Sequence, residues 1–245
     1  MRIVQITDIH IAPENIESFE VDTRANFIRI LEETKKLNPD QVVITGDFCF
    51  RDPQPSIYEW VKAHLTEQQM EIEPISGNHD DPKVLAAAFG RTDDLHGDVI
   101  YYRRDWAGRA VFFLDSTVGT ISQAQLDWLK DELKQTKGWV IVFVHHPPVN
   151  AGVPHMDHNY NLKNGEALMD ILVAYGQPVN VYSGHYHVEK TINRANVTVQ
   201  ITPSCFVQID QYEEQFNADH HRIALRVITL REKEILSTVH YFDGQ

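Results

Sequence analysis

The sequence predicts an α/β fold, because short strand-like runs alternate with helix-like stretches along its 245 residues. The run WVIVFV (139–144) is apolar throughout, which is typical of a strand covered on both faces. In contrast, TRANFIRILEETKKL (23–37) carries apolar residues at helical spacing. With 42% hydrophobic and 23% charged residues, the chain can bury a substantial core. We therefore expect a single domain over residues 1–245.

The other elements follow from the same patterns. Strands are predicted at 2–7, 41–45, 72–75, 98–104, 109–116, 139–144 and 178–183, and helices at 23–37, 56–69, 82–89, 122–135 and 163–175. Pro82 suits the first turn of a helix, Ser122 is a candidate N-cap, and Gly108 marks a turn between two strands. The chain after residue 183 is mostly strand-like.

Composition narrows the class of protein. The net charge is -13 and no run of Lys and Arg occurs, which argues against broad nucleic-acid binding. No stretch approaches the roughly 20 apolar residues that cross a bilayer, and the first apolar run is shorter than that of a signal peptide, so we expect a soluble, cytoplasmic protein without a membrane partner. Cys49 and Cys205 form no disulfide framework. The oligomeric state stays open, a homo-oligomer included.

Polar side chains with metal-binding chemistry follow five predicted strands. They are Asp8 and His10, Asp47, Asn78 and His79, His145 and His146, and His185 and His187. In α/β sheets, ligands bind at the carboxyl ends of the strands, so these segments are expected to meet in one crevice. We interpret the other seven of the 13 histidines as surface or loop residues.

The spacing within these segments favours metal binding. DIH and GHYH place two polar residues at i and i+2, which lie on one face of an extended chain. Gly46 and Gly77 lie next to polar residues, where the backbone can turn sharply or pass close to a metal. Carboxylate, imidazole and amide donors without a thiolate cluster suit Mn, Fe or Zn.

The number of donors indicates two ions. Counting one of His145 and His146, the segments offer seven groups, too many for one four-coordinate ion with an open position. Two divalent metal ions that share a carboxylate would use them all. Such pairs clamp the attacking and leaving oxygens of a phosphoryl displacement, so the expected chemistry is hydrolysis of a phosphate ester.

The segments DIH, GD, GNHD, HHPP and GHYH, in this order, resemble the calcineurin-like metallophosphoesterase superfamily over about residues 1–205. The resemblance implies a two-sheet β-sandwich flanked by helices, a four-layer αββα fold. It also implies that Asp8, His10 and His187 hold one metal, that Asn78, His145 and His185 hold the other, and that Asp47 bridges them. His79 would contact the phosphate or protonate the leaving oxygen.

Weaker signals point to a subgroup. Met156 and Asp157, Asn164 and Gly165, and TPSCFVQ (202–208) look like bacterial class III cyclic-nucleotide and glycerophosphodiester phosphodiesterases. In that group, residues 149–165 would form a lid that carries Asn164 toward the substrate. The first-choice reaction is hydrolysis of 3′,5′-cyclic AMP to AMP, and the alternative is a glycerophosphodiesterase or a generic phosphodiesterase or phosphomonoesterase. The sequence departs from close cyclic-nucleotide relatives at GDFCFRD (46–52), so the resemblance fixes neither the phosphate side of the pocket nor the exact substrate.

Several neighbours of these residues have simpler interpretations. His146 would support a ligand or only pack, and Cys49 would be a small buried hydrophobe. Asp80 and Asp81 would cap the helix that begins at Pro82, and Asp115 would hold a turn or support a ligand. A scaffold that has lost catalysis should show gaps in the donor set, and this sequence has none.

Overall fold

The computed structural model of the chain describes residues 1–14, 16 and 18–245. The helices are α1 (Thr23–Leu37), α2 (Pro55–Glu67), α3 (Pro82–Phe89), α4 (Gln123–Gln135), α5 (Pro154–Asn159) and α6 (Gly165–Tyr175). The strands are β1 (Arg2–Ile6), β2 (Gln41–Thr45), β3 (Ile72–Ile75), β4 (Leu95–His96), β5 (Val99–Ile100), β6 (Tyr102–Trp106), β7 (Arg109–Leu114), β8 (Val140–Val144), β9 (Val179–Ser183), β10 (Lys190–Arg194), β11 (Val197–Ile201), β12 (Gln208–Ile209), β13 (Ala218–His220), β14 (Ile223–Leu230) and β15 (Ile235–Phe242).

Local sequence sets the helix boundaries. α1 begins where the Asp22 carboxylate accepts the Ala25 N–H, and it ends at Asn38 in the left-handed conformation. The predicted N-cap of α4 is confirmed, since Ser122 accepts the Gln125 N–H. The predicted helix near 163–175 begins at residue 165, and the short α5 before it was not predicted.

Two sheets form the centre of the fold. The first has the strand order β15-β14-β1-β2-β3, in which β1, β2 and β3 are parallel and β14 and β15 are antiparallel additions. The second has the order β10-β11-β9-β8-β7-β6, with β7, β8, β9 and β11 parallel. β6 and β10 pair antiparallel at its two edges. The carboxyl ends of the parallel strands therefore lie along the same edge of each sheet.

The sheets pack face to face with helices outside. Along β8, Ile141 and Phe143 join the core shared with the first sheet and α1 to α3. Val142 and Val144 instead join a second core with α4 and α6. This period-2 alternation shows that β8 is covered on both faces, as WVIVFV predicted. The two-sheet, four-layer arrangement implied by the resemblance is confirmed.

Candidate active site

The five predicted polar segments meet at the carboxyl ends of β1, β2, β3, β8 and β9. Asp8, His10, Asp47, His185 and His187 all have positive φ, between 42° and 65°. The extended i and i+2 geometry expected for DIH and GHYH is therefore wrong, because both segments turn immediately after their strands. Left-handed backbone at a non-glycine residue costs on the order of 1–3 kcal/mol and persists where the surrounding structure enforces it, often at active sites.

Two glycines allow the segments to approach each other. A Cβ on Gly77 would collide with the backbone nitrogen and Oδ1 of Asp47. A Cβ on Gly184 would collide with the Thr7 hydroxyl and Asp8 Oδ2. The close backbone approach expected beside Asn78 is confirmed at Gly77, and both positions require glycine.

Asp8, His10 and His187 form a first cluster of side chains that could bind a metal, here called the first donor cluster. Their metal-donor atoms lie within 4.8 Å of one another. Nε2 of His187 lies 3.3 Å from Asp8 Oδ1 and 3.2 Å from Nε2 of His10. The opposite nitrogens donate to backbone carbonyls, since Nδ1 of His187 lies 2.8 Å from Val207 O and Nδ1 of His10 lies 3.3 Å from Cys49 O. Such bonds fix the tautomer and leave both Nε2 lone pairs facing inward.

Asp47, His145 and His185 form the second donor cluster, again within 4.8 Å. Nε2 of His145 lies 3.2 Å from Asp47 Oδ2 and 3.2 Å from Asn78 Oδ1, while its Nδ1 donates to Thr45 O at 2.7 Å. Asn78 thus reaches the cluster through its side-chain oxygen.

Asp47 belongs to the second cluster and also approaches the first. Its Oδ2 is 3.6 Å from Nε2 of His10 and 3.2 Å from Nε2 of His145. Its Oδ1 accepts the backbone N–H of His79 at 3.0 Å. One carboxylate oxygen therefore faces donors from both clusters.

His185 is oriented by the predicted lid, and His146 packs behind it. Nε2 of His185 donates a hydrogen bond to Tyr160 O at 2.9 Å. Nδ1 is therefore the nitrogen whose lone pair is available to a metal. The His146 ring lies 4.0 Å from that of His185, centroid to centroid, and its Nδ1 lies 2.8 Å from the Ser116 hydroxyl. The structure thus turns His145, and not His146, toward Asp47.

The electrostatics favour metal binding. Burial lowers the pKa of His10 to about 4 and that of His185 to about 3, so both imidazoles stay neutral and keep a free lone pair at neutral pH. Burial opposes ionisation of Asp8, but His187 and His145 lower its pKa to about 2. Burial likewise opposes protonation of His145, but Asp47 raises its pKa to about 9. The anionic oxygens thus favour a positive charge here, which a divalent cation would supply.

His79 lies at the open side of the clusters and is half-buried. Its Nδ1 donates to Arg51 O at 2.8 Å, so Nε2 is the nitrogen free to meet a ligand. Its ring centroid lies 5.1 Å from that of His10.

The structure does not bring Asn164 to this site. Its side-chain oxygen accepts the Ile121 N–H at 2.9 Å, and its side-chain nitrogen donates to Ile121 O at 2.8 Å. Both polar groups of the amide are therefore engaged with backbone away from the cavity. The lid expected at 149–165 instead borders the cavity through His155, Met156 and Tyr160.

Of the two aspartates expected to cap α3, only one does so. Asp81 caps α3 by accepting the N–H groups of Lys83 and Val84. The capping role expected for Asp80 is wrong, because its carboxylate accepts N–H groups of both the β2 and the β3 loops and the Tyr58 hydroxyl.

Cys49 and Asp115 match their simpler interpretations. Cys49 is buried, and burial raises the pKa of its thiol to about 12. Asp115 holds its loop by accepting the N–H groups of Ile100 and Thr117.

The sequence did not predict the aromatic side of the cavity. A cavity of about 450 Å³ opens at the donor clusters, and four phenylalanines line its other side: Phe19, Phe50, Phe206 and Phe216. They come from loops far apart in the chain and follow no period. The available signals were TPSCFVQ, which contains Phe206, and GDFCFRD, which contains Phe50.

In the described part of the chain, no helix combines the length and the apolarity required to cross a membrane.

Comparison with known proteins identifies the family. The model of the calcineurin-like phosphoesterase family matches residues 1–189. A probable cyclic nucleotide phosphodiesterase of Fibrobacter succinogenes is 34% identical over 210 residues, which cover 86% of this chain and 82% of that protein. A probable glycerophosphodiester phosphodiesterase of Arcobacter nitrofigilis is 30% identical over 224 residues, which cover 86% of this chain and 81% of that protein.

A solved structure supports the same assignment at the level of fold. A dimetal phosphatase from Danio rerio has a TM-score of 0.77 at 14% identity, covering 100% of this chain and 97% of that one. The predicted fold class and the resemblance are both confirmed: the chain belongs to the calcineurin-like phosphoesterase family.

Proposed function

We propose that this protein is a metal-dependent phosphodiesterase that hydrolyses a small phosphodiester, with 3′,5′-cyclic AMP, converted to AMP, as its first-choice substrate. The observation that carries the proposal is the position of Asp47, whose Oδ2 faces imidazoles of two donor clusters at 3.2 and 3.6 Å. The predicted class of enzyme, a phosphodiesterase, is confirmed by the family and by the relatives.

The proposed metal centre holds two divalent ions. Asp8, His10 and His187 would hold one, Asn78, His145 and His185 the other, and Asp47 would contact both. The inward-facing lone pairs and the low pKa values of His10 and His185 support this donor set. Donors of nitrogen and oxygen suit Mn, Fe or Zn. When bound, such ions polarise a phosphoryl oxygen and activate water.

The residues around the centre have distinct proposed roles. Through its free Nε2, His79 would contact the phosphate or donate a proton to the leaving oxygen. The carbonyls of Thr45, Cys49, Val207 and Tyr160 would hold the imidazoles in one tautomer. The Asp80 carboxylate would hold the loops after β2 and β3 together, since it accepts the backbone N–H groups of Phe48 and Gly77.

A glycerophosphodiester is the second candidate substrate, because the Arcobacter relative is named for that activity. Turnover with added Mn²⁺ should be compared for cyclic AMP, glycerophosphocholine, a nitrophenyl diester and a nitrophenyl monoester. We expect cyclic AMP to have the highest kcat/KM. Rapid turnover of another substrate without turnover of cyclic AMP would exclude the first choice.

Metal analysis separates an enzyme from a scaffold that only keeps the fold. We expect the reconstituted protein to bind two ions per chain and to be active. A protein that binds no ion and has no activity after reconstitution would refute the proposal. The structure brings all seven predicted donors together, including Asn78 through its contact with His145, which supports the enzyme.

A further inference from the structure

The four phenylalanines beside the donor clusters form a continuous surface, here called the phenylalanine wall (Phe19, Phe50, Phe206 and Phe216). We infer that this wall is a subsite for the planar base of a nucleotide substrate, and that it discriminates between nucleotides and diesters without a base. This inference rests on the proposed function, since the phosphate must lie at the donor clusters for the base to reach the wall.

The wall begins directly at the donor clusters. The Phe206 ring centroid lies 5.2 Å from that of His10 and 6.4 Å from that of His187. The Phe50 ring centroid lies 5.5 Å from that of Phe206. A phosphate at the clusters would therefore be separated from this aromatic surface by about the width of one sugar ring. In a nucleotide, the sugar separates the phosphate from the base in the same way.

Two of the four rings are unusually exposed. Phe50 and Phe206 are buried, but Phe19 is 47% and Phe216 is 43% accessible, and their centroids lie 5.5 Å apart. They thus place adjacent apolar rings in solvent at the mouth of the cavity that contains the donor clusters. Exposed apolar patches rimmed by polar groups often mark ligand-binding grooves.

The backbone at Phe19 adds an independent observation. Phe19 has a φ of 54° and Glu20 a φ of 59°. Positive φ is a genuine outlier for a bulky residue, and such strain collects at ligand clamps and active sites. The loop between β1 and α1 is therefore strained at the position where the Phe19 ring faces the cavity.

The chemistry of the wall favours a nucleobase over a quaternary ammonium head group. Aromatic faces bind both, by stacking in the first case and by cation–π attraction in the second. However, the Arg51 guanidinium already lies 5.2 Å from the Phe50 ring centroid and lines the cavity. A second cation at the wall would be repelled by Arg51, whereas a neutral base would not be.

Kinetics of Phe19 variants test the inference. Stacking of a base on an aromatic side chain is worth about 1–3 kcal/mol, so we expect Phe19→Leu to raise KM for cyclic AMP about 5-fold or more with little change in kcat. The methyl riboside 3′,5′-cyclic phosphate keeps the sugar and the cyclic phosphate but lacks the base, and its kcat/KM should not change. Phe19→Trp should keep a KM near that of the unmodified protein. Tyr212→Leu is the matched control, because Tyr212 is 81% accessible and does not line the cavity.

An unchanged KM for cyclic AMP in Phe19→Leu would overturn the inference, as would an equal loss on the base-free ester. Binding of adenosine to the metal-free protein, followed by saturation-transfer NMR, tests the wall without turnover. We expect a signal with the unmodified protein and with Tyr212→Leu, and a weaker one with Phe19→Leu. Choline contact without adenosine contact would assign the wall to a cationic head group and overturn the inference. Absent turnover of any ester would instead refute the proposed function, while the adenosine result would still decide the role of the wall.

Discussion

The donor clusters and the phenylalanine wall share one cavity but are built differently. The donors Asp8, Asp47 and His145 are almost fully buried and lie immediately after strands of the two sheets. The wall comes from loops, and nearly half of the surface of Phe19 and of Phe216 is exposed. Groups that must keep precise distances are thus fixed by the sheets, whereas the surface that would select the substrate lies on segments that can vary without disturbing the sheets.

Hydrogen bonding shows the same difference. Each donor imidazole of His10, His145, His185 and His187 is held by a backbone carbonyl. The wall instead contacts its surroundings through ring packing, as between Phe19 and Phe206 at 5.8 Å. We therefore expect changes in the donor region to affect metal content and kcat, and changes in the wall to affect mainly KM.

The largest expected effect follows from Asp47→Ala. Loss of this carboxylate removes the oxygen that faces both clusters, so metal content should fall and turnover should become undetectable. Metal analysis and kinetics with added Mn²⁺ check this expectation. Cys49→Ala is the control two residues away and should keep its metal, since the buried thiol is outside the donor clusters. Retained metal and activity in Asp47→Ala would contradict the proposed bridge.

His79→Ala should slow turnover without removing metal. A positioned acid or phosphate contact is worth about 10²- to 10⁴-fold, and the loss should be greatest for esters with poor leaving groups. The test compares kcat for cyclic AMP and a nitrophenyl diester, together with metal content. If the variant loses its metal, His79 is a ligand and the proposed division of roles is wrong.

The adjacent histidines His145 and His146 provide a matched pair. His145→Ala should lower metal content, because Nε2 of His145 faces Asp47 and Asn78. His146→Ala removes the ring that packs on His185 and its hydrogen bond with Ser116, but no predicted ligand, so we expect a milder loss of about 10- to 100-fold in metal affinity or activity. Metal titration of both variants checks the order, and a larger loss in His146→Ala would reverse the assignment.

The sequence predicted most elements because local signals were strong. The helix over 82–89 has Pro82 at its start and Gly90 at its end, and its bounds match the structure. The donor positions could be predicted because polar residues directly followed apolar strands. Neither observation required knowledge of contacts between distant residues.

The rest depends on tertiary structure. The positive φ of Asp8 and His187 is imposed by packing of several segments and has no local signature. Phe19 and Phe216 are brought together from opposite ends of the chain, so no window of sequence contains the wall. Asn164 was assigned to the substrate from a resemblance, but its amide instead holds the backbone of Ile121.

Asp80 and Asp81 test how far the rigidity of the donor region depends on a single carboxylate. Asp81 only caps α3, so Asp81→Ala should cost about 1 kcal/mol and lower Tm by about 2–4 °C without changing kcat. Asp80→Ala should lower both Tm and kcat, because the buried N–H groups of Phe48 and Gly77 would lose their acceptor and the loops that carry Asp47 and Asn78 would separate. Thermal unfolding and kinetics on the two variants and on Asp81→Asn, which keeps the cap, measure the difference. Equal kinetics for the two alanine variants would show that the sheets alone hold the donors in place.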